Sequence, residues 1–171
     1  MLDLMVSVTV AGILLGVGVP SFISSVRSSA MVASTNQLVS YLHSARSEAI
    51  KRHARVTVCR GTTGNAPDCD ENADGLLIFV NANDDASVDG EDEVLQASFW
   101  LDEGLEIRSD DLPGYITYDA SGFSVLIGGQ PATGELVFCD IRGDDGARVL
   151  DLSVTGRPQI QKREAGSPSC E

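Results

Sequence analysis

Residues 4–51 read LMVSVTVAGILLGVGVPSFISSVRSSAMVASTNQLVSYLHSARSEAIK and decide the fold of this chain. Positions 4–19 carry no charged side chain, and from Phe22 onward apolar residues recur every three or four positions, which is typical of an amphipathic helix. Pro20 stands between the two parts and is expected to kink the helix without ending it. We therefore predict one helix of about 50 residues, roughly 75 Å long, with an apolar first half and an amphipathic second half.

The uncharged start of this helix approaches the length of a membrane-spanning segment, which needs about 20 apolar residues. A cleaved secretory signal peptide is the competing interpretation. It is disfavoured because no Lys or Arg precedes the apolar run, no A-x-A-like cleavage site follows it, and Asp3 stands where a signal peptide would carry a cation. Gly12 and Gly16 have the spacing that lets apolar helices approach one another closely. The sequence thus predicts an anchor that stays on the mature chain.

Acidic residues outnumber basic ones in the composition, 25 Asp and Glu against 12 Lys and Arg, for a formal net charge of -13. Residues 1–60 contain more Lys and Arg than Asp and Glu, so the acidic excess lies in residues 61–171. This balance disfavours a protein that coats nucleic acid, because phosphate binding relies on Lys and Arg. The chain has only two histidines, His43 and His53, which excludes a histidine-rich metal site.

After Lys51 the pattern changes to short apolar runs that are separated by clusters of Gly, Asp, Asn and Pro, which predicts β-strands. No helical pattern alternates with these runs, which disfavours a parallel α/β sheet. We predict an α+β fold in which the apolar stripe of residues 22–51 lies on an antiparallel β-sheet. The expected divisions are 1–21, 22–53 and 54–171, and the expected strands are 55–59, 75–80, 94–99, 105–107, 115–118, 123–126, 135–139 and 149–154.

Asp3 precedes an apolar run, and Pro20 follows it about seventeen positions later. This arrangement resembles the mature start of type IV pilins and type II secretion pseudopilins, although the family acid is usually glutamate. The family's basic leader and the phenylalanine that is methylated after cleavage have no counterpart in the printed sequence. The body is similar to H-type minor pseudopilins and FimT/FimU-type minor pilins in the segments 44–52, 56–59, 75–80, 92–95, 134–140 and 154–157.

The resemblance implies a non-enzymatic structural subunit that helps to initiate or cap a type II secretion pseudopilus or a type IV pilus. It also implies a single-pass protein of the bacterial inner membrane with a periplasmic C-terminal domain, whose partners are other minor subunits and the major subunit. Asp3 would pair with the N-terminal amine of a neighbouring subunit, because a buried charge is tolerated only when paired. Its simpler interpretation is a helix N-cap. Gly12, Gly16 and Pro20 would serve helix packing.

Four cysteines allow three disulfide connectivities. A domain outside the cytoplasm meets an oxidising space where disulfides persist. We favour Cys59 with Cys69, which closes a short loop, and Cys139 with Cys170, which the family resemblance also implies. Zinc is the alternative, and the absence of a C-x-x-C pair disfavours it.

The acidic run 81–93 gives a weak indication of calcium. Its sixth position is alanine where an EF-hand loop needs glycine, and its twelfth is aspartate where glutamate is usual. We therefore prefer a solvated hairpin tip and predict no metal and no cofactor. The residues at ligand offsets are Asn81, Asn83, Asp85, Ser87, Asp89 and Asp92.

The segment 156–163 is the basic patch of the C-terminal half, with Arg157, Lys162 and Arg163 as candidate DNA contacts. Some FimT-like members are thought to contact DNA during uptake through a Gly-Arg-x-Arg tail, and Gln159 occupies the second arginine position here. Three cations on an acidic body predict weak, salt-sensitive binding. A DNA-uptake module is therefore the second hypothesis. We predict no enzyme and no small-molecule substrate, because the catalytic motifs G-x-S-x-G and H-E-x-x-H and a phosphate loop are absent from the sequence.

Overall fold

The computed structural model describes residues 2–64, 66–70, 72–73, 75–99, 104–162 and 167–170, without the side chains of 2–4, 10–11, 13–21 and 99. The predicted long helix is confirmed as α1, Leu2–Arg52, which continues through Pro20. A short 3-10 helix spans Gly143–Gly146. The strands are β1 Val56–Thr62, β2 Asp68–Cys69, β3 Gly75–Val80, β4 Glu93–Phe99, β5 Glu106–Arg108, β6 Tyr115–Tyr118, β7 Ser124–Val125, β8 Gly134–Cys139, β9 Arg148–Leu152 and β10 Pro158–Lys162.

Two antiparallel sheets pack against α1, which confirms the predicted α+β class. Within the described residues, the first sheet has the order β4-β3-β1-β6-β7 with β2 beside β1, and the second has the order β10-β9-β8-β5. The long pairing of β1 with β3 joins Val56 to Val80 and Gly61 to Gly75. β3 reads as a nearly continuous apolar run, and most residues of both strands are buried, because both faces of the first sheet are covered here.

The main core lies between α1 and the inner faces of both sheets. The buried helix residues Leu38, Leu42, Ala45 and Ala49 follow the predicted spacing. They share one cluster with residues of both sheets, including Val58, Leu76, Phe138 and Leu150. The apolar stripe of the second half of α1 therefore seats the helix on the sheets, as the sequence predicted.

The sheets do not cover the start of that stripe. Phe22 is 70% exposed and Val26 is also exposed, and among the helix side chains that the structure describes the first fully buried one is Met31. The periodicity is the same on both sides of this boundary, so it does not show where burial starts. The body begins near residue 28, and the described helix side chains before it are exposed; this segment is the projecting part of α1.

Two strands were not predicted. β2 has two residues, and it lies beside β1 because Cys69 is held there by a disulfide. β10 is an edge strand with four exposed residues after the buried Pro158. Its sequence, PQIQK, gives only a weak strand signal, because one apolar side chain, the exposed Ile160, follows Pro158. Pro is tolerated at the start of an edge strand. The supposed basic tail is thus part of the second sheet.

Candidate assembly surface

The projecting part of α1 carries six of the exposed large apolar side chains in the described part of the chain. Met5 and Phe22 are each 70% exposed, and Val6, Val8, Ile23 and Val26 are also exposed. About 26 residues precede the body, or roughly 40 Å of helix. Clusters of exposed apolar side chains such as these mark an interaction site with protein or lipid.

The four residues that the sequence assigned to assembly all lie on this projecting part. α1 passes through Asp3, Gly12, Gly16 and Pro20, but the side chains of Asp3 and Pro20 and the surroundings of Gly16 lie outside the described part. A Cβ atom at Gly12 would meet no atom within 4 Å, so this position is open for close approach by another helix. Considering only described residues, we find no helix with a stretch long and apolar enough to span a membrane.

A turn of the second sheet fixes the projecting helix at its base. Nε of Arg142 donates to Oδ1 and Oδ2 of Asp140 at 3.1 and 2.8 Å, and Nη2 donates to Oδ2 at 2.6 Å. Nη1 of Arg142 also donates to the Ser28 hydroxyl of α1 at 2.7 Å. The hydrogen bonds from Arg142 hold the pKa of Asp140 below its ordinary value of 3.8. Sequence analysis missed this pair, whose only signal was two charged residues beside Cys139.

The lowered pKa of Asp140 sets a pH dependence for stability. A carboxylate with a depressed folded pKa stabilises the fold above its unfolded pKa, and this contribution is lost as the pH falls through the folded value. We expect Asp140→Asn to lower the free energy of unfolding at neutral pH by about 1.5–3 kcal/mol, and by less in acid below pH 3.8. Urea midpoints at both pH values measure this. The exposed Asp145→Asn is the control, and an equal pH response in the two variants would contradict the assignment.

All four cysteines lie in the described part and form disulfides, Cys59 with Cys69 and Cys139 with Cys170. These are the pairs that the sequence analysis favoured, and they leave no thiol for zinc. The second disulfide ties β8 to the C-terminal segment, where the Cys170 amide also donates to Asp144 Oδ1 at 3.0 Å. The disulfides therefore secure segments that bury little apolar surface of their own.

The acidic segment 81–92 folds over the outer face of the first sheet and is tied down by its own polar groups. Asn81 is buried, and its amide donates to Thr57 Oγ1 at 3.0 Å. The Asn83 amide donates to Asp85 and Asp89, each at 2.9 Å, and Asp92 accepts from the Ala82 amide at 2.9 Å. No group of three or more His, Cys, Asp or Glu side chains within the described ranges could hold a metal ion. The EF-hand-like offsets therefore close turns in this structure.

The candidate DNA contacts do not form one patch. Arg157 lies in the β9–β10 turn, where Ser153 holds its backbone, and Lys162 lies at the far end of β10. Five residues of strand separate them by roughly 17 Å. Arg163 lies outside the described residues. The structure thus places the two described cations at the two ends of β10.

Solved structures with this architecture include two crystal forms of the type IV minor pilin FimU from Pseudomonas aeruginosa. They match with TM-scores of 0.57 and 0.58 at 24% and 23% identity, covering 81% and 82% of this chain and 98% and 95% of theirs. The minor pseudopilin EpsH from the type 2 secretion system of Vibrio cholerae matches with a TM-score of 0.50 at 13% identity, covering 77% of this chain and 96% of its own. At these identities the likeness shows the fold.

No curated protein sequence matches the chain. The family described as type II transport protein GspH matches residues 34–156, from the second half of α1 to the β9–β10 turn. Because this match spans well over half of the sequence, the chain belongs to the GspH family of minor pilins and pseudopilins, which are structural proteins and not enzymes.

Proposed function

We propose that this chain is a minor subunit that helps to initiate or cap a type II secretion pseudopilus or a type IV pilus. The observation that carries the proposal is the uncovered apolar surface of α1 before residue 28, including Met5 and Phe22. The described apolar side chains of this segment are not covered by their own domain, and such side chains need a partner elsewhere. In the proposal, the inner membrane holds it first, with the β-domain in the periplasm, and the helices of other minor subunits and the major subunit replace the lipid later.

Asp3 has a distinct part in this proposal. A charge carried into a bundle of apolar helices is costly unless it is paired, so the carboxylate would select the register in which a neighbour's N-terminal amine lies beside it. Gly12 and Gly16 would let the helices approach, and Pro20 would set the direction in which the anchor leaves the body. These roles are supported by the position of all four residues on the projecting half of α1.

Two valines of nearly equal exposure test whether the helix surface carries assembly. Val26 on the projecting helix is 52% exposed, and Val154 on the β9–β10 turn is 55% exposed. We expect Val26→Asp to reduce incorporation of the chain into sheared filaments at least about tenfold, because a desolvated unpaired charge costs several kcal/mol. Val154→Asp, with the same chemical change, is expected to assemble normally. Equal loss in both variants, or in neither, would refute the helix surface as the carrier.

Removing residues 1–21 tests the division of the chain. We expect the remaining protein to stay folded, monomeric and soluble without detergent, because the main core begins at Met31. Circular dichroism and size-exclusion chromatography measure this. A remainder that still needs detergent would show that the apolar surface extends further into the body than the structure places it.

The system that the subunit serves can be separated by a deletion phenotype. Loss of twitching motility or DNA uptake indicates a type IV pilus, and loss of exoprotein secretion indicates a type II secretion pseudopilus. Complementation with the Val26→Asp and Val154→Asp variants then connects the phenotype to the helix surface.

A further inference from the structure

β9 and β10 place two cationic side chains directly opposite each other, Arg148 and Lys162. Residues in such a pair point to the same face with their Cβ atoms about 4.5–5.5 Å apart, and like charges there repel. Within the described ranges, neither side chain makes a hydrogen bond or an ion pair. An acidic chain that leaves two facing cations unneutralised has a local attraction for an external anion.

The two cations line a groove between α1 and the edge of the second sheet. The groove has a volume of about 520 Å³, and Ser28 and Met31 form its helix side. Arg142 also borders it, but the charge of Arg142 is taken up by Asp140. The acids on the wall are Asp144, whose Oδ1 accepts from the Cys170 amide, and the exposed Asp145. These two carboxylates remain charged, so the wall carries both signs, and its cations without an ion pair in the described part are Arg148 and Lys162.

The groove lies at the end of the body from which the apolar helix projects. Ser28 is seven residues beyond position 21, or roughly 10 Å along α1. Lipid headgroups extend about 5–8 Å beyond the hydrocarbon, and charges in physiological salt interact over about 8 Å. The exposed Arg27 adds a third cation at this level of the helix. With residues up to 21 in the membrane, the groove would face the phosphates of the leaflet.

We propose that this groove binds the phosphate of an anionic phospholipid while the subunit is held in the membrane before assembly. The proposal rests on the membrane-held state of the proposed function. A nucleic acid fits less well, because a duplex requires several phosphate contacts along its length. Arg157 lies just before the other end of β10, and the net charge of -13 repels a long polyanion.

The test uses the full chain in dodecyl maltoside micelles, titrated with phosphatidylglycerol or phosphatidylcholine and measured by native mass spectrometry. We expect phosphatidylglycerol to bind more tightly, and Arg148→Gln and Lys162→Gln each to weaken it about fivefold. Arg157→Gln is the matched control and is expected to leave the affinity unchanged, and Arg148→Lys is expected to retain most of it. The urea midpoint of Arg148→Gln is expected not to fall, because the substitution removes a like-charge repulsion.

Three results would overturn the proposal. The first is equal affinity for the two lipids. The second is the same weakening in Arg157→Gln as in Arg148→Gln. The third is tighter binding of inorganic phosphate or short duplex DNA than of phosphatidylglycerol through Arg148 and Lys162. The filament assay with Val26→Asp is independent of this titration, so a failed lipid site and a failed assembly function give different patterns.

Discussion

Replacing Cys139 and Cys170 together with alanine is expected to lower the free energy of unfolding by about 3–4 kcal/mol. The disulfide closes a loop with a sequence separation of 31 residues. Removing it restores the entropy of that loop to the unfolded chain and frees the C-terminal segment from β8. Urea unfolding of the oxidised protein, followed by circular dichroism, measures the change.

The other disulfide is the internal control for this prediction. Cys59 and Cys69 are separated by 10 residues, so the same entropy argument gives a smaller loss of about 2.5–3 kcal/mol for the double alanine variant. The order of the two losses follows from loop length. A larger loss for the Cys59–Cys69 pair, or free thiols titrated in the native protein, would contradict the pairing.

Phe138→Ala is expected to lower the free energy of unfolding by about 3–5 kcal/mol. Phe138 is fully buried on β8 and belongs to the core that joins α1 to both sheets. Its removal leaves a cavity between the helix and the second sheet that a packed core fills only in part. The urea midpoint should fall while the slope of the transition stays constant.

Phe123 supplies a matched control for the core prediction. It is 46% exposed in the turn between β6 and β7, so Phe123→Ala removes the same ring from a half-solvated position. We expect a loss of less than about 1 kcal/mol. Similar losses in the two variants would mean that Phe138 does not pack between the helix and the sheet as the structure shows.

The elements that sequence predicted well are those whose pattern follows directly from burial. The buried face of the helix was predicted from the spacing of Leu38, Leu42, Ala45 and Ala49. β3 was predicted from the continuous apolar run 75–80. β10 has no comparable apolar pattern, because most of its side chains are exposed. Its strand conformation comes from backbone pairing with β9. Phe22 and Val26 show the converse, since their periodicity is that of a buried face that no sheet covers.

The candidate sites divide in the same way. Assembly roles could be proposed for Asp3, Gly12 and Pro20 from sequence, because those roles depend on where the residues lie along a single helix. Arg142 bonds to Asp140 and Ser28 only after the second sheet has formed beside α1. Arg148 and Lys162 likewise face each other only once β9 and β10 pair. The same holds for the basic segment 156–163, where the structure separates Arg157, in the β9–β10 turn, from Lys162, at the far end of β10.

The sequence by itself determined the long helix, its apolar half, the α+β class and most strands, since periodicity and charge along a chain report local burial. Only the tertiary structure decided where the body begins on α1, which charges face one another, and which strand closes the second sheet. These depend on pairing between segments distant in sequence, where hydrogen bonds and packing fix the register. The stretch 4–51 therefore specifies one helix, and the sheets decide that it covers the core after residue 28 and projects before it.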